Sequence, residues 1–112
     1  MLKAIFENKD NKLTLKLEGH AGQAEAGHDL VCASCSILAY TVAKLIKAAE
    51  DTGDLKAPAE IILESGDSLI VCEPKEDSYR VIFGVYMYAL VGYDLLAKNY
   101  PQYVDLEQFG MV

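Results

Sequence analysis

Residues 19–36 read GHAGQAEAGHDLVCASCS, and they mark a change of periodicity in the chain. Before them, residues 12–18 alternate, with Leu13, Leu15 and Leu17 on one face and Thr14, Lys16 and Glu18 on the other. That is a half-buried strand ending at Gly19. After them the apolar spacing turns helical from Leu30 and Val31. Gly19, Gly22 and Gly27, set among alanines, cannot pack a core and tolerate left-handed backbone. The stretch is a strand-to-helix connection that holds both histidines and two of the three cysteines.

Working outward, residues 2–7 read as a short strand and residues 8–11 as a turn, which completes a hairpin with residues 12–18. A helix is expected over residues 30–51, with Leu38, Val42, Leu45 and Ala49 as its apolar stripe. Ala33, Ile37 and Ile46 widen that stripe, and Lys44, Lys47, Glu50 and Asp51 mark the wet side. Residues 59–65 and 68–73 form a second strand pair about Gly66 and Asp67, closed by Pro74. A second helix is expected over residues 77–99, capped by Asp77 or Ser78 and stopped by Pro101. It is apolar nearly all round, so it must be covered on most sides, and a second subunit is the natural cover. Gly84 and Gly92 then permit close backbone approach. Residues 103–112 either add an edge strand or fray.

The expected fold is α+β in the order ββαββα: two hairpins forming a mixed or antiparallel sheet covered by two helices. Residues 1–112 are expected to form a single domain that pairs as a homodimer.

Formal net charge is −7, from 17 acidic against 10 basic residues, which disfavours nucleic acid as a partner and favours a cationic peptide. The longest apolar run, residues 81–93, is too short to span a bilayer, so no membrane is expected. Three cysteines make no disulfide framework, and the opening MLKAIFENKD lacks the apolar core of a signal peptide. The expectation is a cytoplasmic protein with reduced thiols.

Asp29 is a good N-cap, which places Cys32 at N3, where unpaired N–H groups and the macrodipole favour a thiolate. Ser36 follows one turn later on the same face. A thiolate there, with a histidine across a glycine loop and backbone N–H groups for the oxyanion, suits nucleophilic catalysis by a Cys–His pair. Other readings compete. Cys32 can be a small buried hydrophobe in a non-catalytic dimeric module. Cys32 and Cys35 form CxxC at a helix start, the spacing of thiol redox proteins, though no βαβ unit precedes it. His20, His28, Cys32 and Cys35 include enough donor types for a metal, but not at the spacing of zinc knuckles. No metal and no other cofactor is expected. Cys72 reads as a packed strand residue.

The segments GHAG at 19–22 and GxDLVCAxxS at 27–36 resemble the ribosomal-processing cysteine protease family, Prp. Gly19, His20, Ala21, Gly27, Asp29, Val31, Cys32, Ala33 and Ser36 carry the likeness. The resemblance implies a cysteine endopeptidase with Cys32 as nucleophile and His20 as base, supported by Gly19, Asp29 and Ser36. In that motif GHA is the histidine element, and the position of His28 has no assigned role. The implied substrate is a large-subunit ribosomal protein made with a short N-terminal extension ending in an aromatic residue. Relatives in phages are implied to process capsid or scaffold proteins. CxxC departs from the family pattern, which needs only the first cysteine.

Overall fold

A computed structural model describes the backbone of residues 1–20 and 26–111, and the side chains of residues 1–20 and 30–111. Strands β1 (Leu2–Lys9) and β2 (Lys12–Glu18) form the first hairpin. Its two-residue turn, Asp10 and Asn11, has φ of 52° and 67°, the paired left-handed conformation that Asp and Asn tolerate best after glycine. Strands β3 (Glu60–Glu64) and β4 (Asp67–Cys72) form the second hairpin around Ser65 and Gly66. The hairpins join because β2 pairs antiparallel with β4, Leu15 opposite Ile70 and Leu17 opposite Ser68.

The segment after the second helix becomes an edge strand, β5 (Val104–Phe109), parallel to β1. Pro101 stops the helix, and the amides of Tyr103 and Val104 fold back onto the Tyr100 carbonyl. The Leu2 amide then donates to the Tyr103 carbonyl at 2.9 Å and sets the parallel register. The sheet is mixed, in the order β3-β4-β2-β1-β5.

One sheet face carries both helices. Leu2, Ala4 and Phe6 of β1, Leu13, Leu15 and Leu17 of β2, and Ile70 and Cys72 of β4 are all buried on it. Helix α1 (Ala26–Asp51) covers them with Val31, Cys35, Ala39, Val42, Ala43 and Ile46. A 3-10 turn, Glu76–Ser78, leads into helix α2 (Tyr79–Asn99), which buries Ile82, Tyr86, Ala89, Leu90 and Tyr93. Two tyrosines reach the middle of the core with their hydroxyls satisfied. Tyr93 donates to the Cys35 carbonyl at 2.7 Å, and Tyr86 to the Ile70 carbonyl at 3.1 Å. The Tyr93 ring also meets Phe6, with centroids 5.8 Å apart.

Three expectations need correction. Helix α1 begins at Ala26, not at residue 30, so Asp29 lies inside its first turn and is not the N-cap. An acidic residue suits the first turn as well as the cap, so residue type alone does not place the boundary. The buried stripe of α1 is rotated from the expected one: Ala33, Ile37 and Leu45 face outward, while Cys35, Ala39 and Ala43 face the sheet. Small side chains on that face let the helix lie close, and periodicity that weighs bulk selects the wrong side. Helix α2 takes no side-chain cap from Ser78, whose hydroxyl is committed to the Asp54 carboxylate at 3.0 Å.

By length and composition α1 and α2 are both apolar enough to cross a membrane, unlike the short run that the sequence suggested. Each instead lays one stripe on the sheet and leaves a second stripe outside. Val81 is 74% and Tyr88 76% exposed, and Val91 and Leu95 continue their row. Between the helices Leu38 sits on Gly92, where a Cβ would come within 2.8 Å of its Cδ1, so that glycine serves packing within the chain. Gly84 has open space instead and lies on the outer face.

Tyr93 separates packing from hydrogen bonding in the core. Urea unfolding should show Tyr93→Phe losing about 1 kcal/mol, the usual worth of one hydrogen bond. Tyr93→Ala should lose about 3–5 kcal/mol through the cavity it leaves. Equal losses would mean that the ring packs nothing.

Candidate active site

The site lies where β2 runs out beside the second hairpin. Because Glu18 pairs with Asp67, the chain leaves β2 alongside the β3–β4 turn. The Gly19 amide donates to the Gly66 carbonyl at 3.0 Å, and His20 follows directly. His20 is exposed. Its ring lies over Gly66, with Nε2 2.6 Å from where a Cβ on that glycine would be.

Helix α1 supplies the opposite wall. Cys32 is half-buried and Ser36 follows one turn later, and both line a cavity of about 200 Å³ together with His20. Leu2 and Leu17 contribute apolar lining, Tyr40 lies further along α1, and Glu64 to Ser68 close the remaining side. Of the residues singled out in the sequence, Gly19, His20, Cys32 and Ser36 therefore meet at one place. Among the described residues neither the His20 ring nor the Cys32 thiol makes a hydrogen bond, so the two share a cavity without being joined. The side chains of His28 and Asp29 lie outside the described residues, as does the glycine loop at residues 21–25.

The helix start alters the chemistry expected of Cys32. With Ala26 as the first helical residue, Cys32 stands in the second turn, where backbone N–H groups are already bonded to carbonyls four residues back. Neither the thiolate nor an oxyanion beside it can draw on unpaired first-turn amides at that point.

Cys35 differs from Cys32 in its burial. It is fully buried under the sheet side of α1, and burial pushes its thiol up to about 12, with the neighbouring Cys32 sulfur adding to the rise. A dithiol oxidoreductase needs its second thiolate accessible to resolve the mixed disulfide. The CxxC spacing therefore reflects one sulfur facing the cavity and one facing the core. Cys72 is likewise buried, its thiol raised by burial and only partly relieved by the Tyr86 hydroxyl at 3.5 Å. Among the described residues no group of three or more His, Cys, Asp or Glu side chains is gathered to hold a metal ion.

The family model described as cysteine protease Prp matches residues 1–105. The chain belongs to the Prp family. It is a cysteine protease by that membership, and its fold agrees with solved structures. The Streptococcus mutans protein SMU.848 superposes with a TM-score of 0.70 at 25% identity, covering 97% of this chain and 94% of the other. The Staphylococcus aureus ribosomal processing protease Prp, solved with a covalently linked product peptide, gives 0.70 at 21% identity over 96% and 99%. The same enzyme with a substrate peptide gives 0.71 at 20% identity over 96% and 99%. No curated protein sequence matches the chain.

Sequence reasoning found the motif residues just past β2 and on α1 but missed the β3–β4 turn and Tyr40 as parts of the cavity wall. Gly66 and Asp67 read only as a turn, and no local signal announces that the turn will face His20. The strand pairing alone decides it.

Thiol labelling tests the division among the cysteines. Iodoacetamide at neutral pH should modify Cys32, leaving Cys35 and Cys72 at least ~100-fold slower because their exposure requires local opening. Raising the pH to 9 should not recruit Cys35, which keeps its proton until about 12. Peptide mass mapping that found Cys35 labelled as fast as Cys32 would refute the assignment.

Proposed function

We propose that this Prp-family protease removes a short N-terminal extension from a large-subunit ribosomal protein, using Cys32 as nucleophile and His20 as general base. The observation that carries the reading is that these side chains line one cavity from two separate elements, β2's end and α1. The described relatives from Staphylococcus aureus hold a substrate peptide and a covalently linked product peptide, which supports peptide cleavage through a covalent step.

In the proposed cycle the Cys32 sulfur attacks the scissile carbonyl while His20 takes the thiol proton. The C–N bond then breaks, and His20 returns that proton to the leaving amine. Water, activated by the same imidazole, hydrolyses the thioester and frees Cys32. Moving the helix start away from Cys32 leaves His20 as the thiol's activator, so the enzyme depends on bringing the two together. Substrate seated in the cavity would tighten a contact that is open without it. Gly19 holds the histidine segment to the second hairpin, and Ser36 shares the cavity wall with Cys32.

The precursor of the organism's own ribosomal protein, followed by intact-mass analysis, provides the test. Cys32→Ala and His20→Ala should each lower cleavage by at least ~10³-fold. Cys35→Ala, which keeps a small apolar group in the core, and His28→Ala should leave most of it. Loss on His28→Ala equal to that on His20→Ala would overturn the choice of base. Loss on Cys35→Ala in a folded chain would favour redox chemistry.

The protease is further proposed to act as a homodimer in the cytoplasm, with neither nucleic acid nor membrane as partner. Two apolar grooves run along the outer side of the helices and share Gly84 and Tyr88. Leu38, Met87, Val91 and Leu95 line one, and Leu45, Val81 and Val85 the other. A second copy offers the same face in self-complementary form, which is what a two-fold interface requires. The charge of −7 argues against phosphate or anionic lipid. Sedimentation at micromolar concentration should give twice the 12.3 kDa chain mass. Tyr88→Glu should give a folded monomer; a native chain that is already monomeric would refute the dimer.

A further inference from the structure

We propose that Gly66, in the β3–β4 turn, is a positioning residue for the His20 imidazole: its missing side chain is the seat in which the ring is held. The inference rests on His20 being the general base.

Two contacts make the seat. The Gly19 amide donates to the Gly66 carbonyl at 3.0 Å and ties the residue before His20 to the turn. The ring then stands where a side chain at Gly66 would begin, with Nε2, Cε1 and Cδ2 at 2.6, 2.9 and 3.4 Å from the Cβ position. His20 is exposed and, among the described residues, makes no ring hydrogen bond. An exposed imidazole beyond the end of a strand would otherwise exchange between staggered positions. A general base is useful only within about 2.6–3.2 Å of the proton it takes, so a ring confined to one seat beside the cavity gains in effectiveness.

Turn geometry is the competing explanation, since Gly66 has φ of +75° and any other residue there is strained. The molecule contains its own control. Gly53 has φ of +78° and nothing within 4 Å of its Cβ position. Alanine at either site therefore meets the same backbone strain, but only at Gly66 does it also meet the ring. Because the obstructing atoms are the far end of a flexible side chain, Gly66→Ala can fold by pushing His20 aside. The substitution moves the base without collapsing the turn.

The experiment compares full-length Gly66→Ala and Gly53→Ala with the native chain. It reads the Cε1–Hε1 cross-peaks of the two histidines, assigned with His20→Ala, and the kinetics of precursor cleavage. Gly66→Asn, which tolerates left-handed backbone better, is the second variant should the alanine fail to fold. The expected result is that substitution at Gly66 moves the His20 cross-peak and lowers kcat by ~100-fold, the cost of misplacing a group by about an ångström. KM should stay within about twofold, since the loss falls on the chemical step. Gly53→Ala should change neither reading. An unmoved His20 cross-peak, or full kcat with a displaced ring, would overturn the proposal, as would an equal kcat loss on Gly53→Ala. If the native chain left the precursor intact, the substrate reading would fail by itself, and the cross-peak alone would decide the seat.

Discussion

Strand β2 pairs with β1 on one side and with β4 on the other, and the second pairing is the constraint on which the molecule depends. It closes across the whole of α1, so its entropic cost is large and no local propensity enforces it. Burial does. Leu13, Leu15 and Leu17 can be covered only if the helices have a full sheet to lie on, and Ile70 and Cys72 widen that sheet. A register slip of one residue would turn all three leucines to the open face. The same register sets Glu18 beside Asp67, and hence His20 beside Gly66. The core and the site share one cause.

The helices have two apolar sides each, one laid on the sheet and one left exposed. Their inner stripes set small residues and tyrosines among Val31, Val42, Ile46, Ile82 and Leu90, with Ala39, Ala43 and Ala89 allowing close approach and Tyr86 and Tyr93 filling the depth. A tyrosine can occupy the core because its hydroxyl finds a carbonyl, at Ile70 for one and Cys35 for the other. Their outer stripes lack that complementarity within the chain, and the exposed Val81, Tyr88 and Val91 form an adhesive face. The proposed second subunit would cover that face without asking the fold itself to change.

Reactivity in the cysteine pair is divided by helix geometry. Residues three apart stand on neighbouring parts of a helix face, so with Cys35 directed at the sheet Cys32 reaches the edge of the cavity. One thiol is spent on packing, and burial keeps it protonated. The other meets solvent where the histidine stands. A spacing that suggests two coupled sulfurs is thus the trace of one core residue and one site residue.

The α+β class, both hairpins, both helices and the residues Gly19, His20, Cys32 and Ser36 were legible in the sequence, because alternation, helical spacing and a dense local motif are all short-range signals. The start of α1 was not, since an acidic residue serves the first turn as well as the cap. Its buried stripe was misplaced because alanine and cysteine faced the core while Ile37 and Leu45 faced outward. The parallel placement of β5 depended on an edge of β1 that only the assembled sheet leaves open. The wall formed by Glu64 to Ser68, and the seat under the His20 ring, came from the pairing of β2 with β4. Strand pairing is a long-range choice made by burial of a common face, and no segment read by itself contains it.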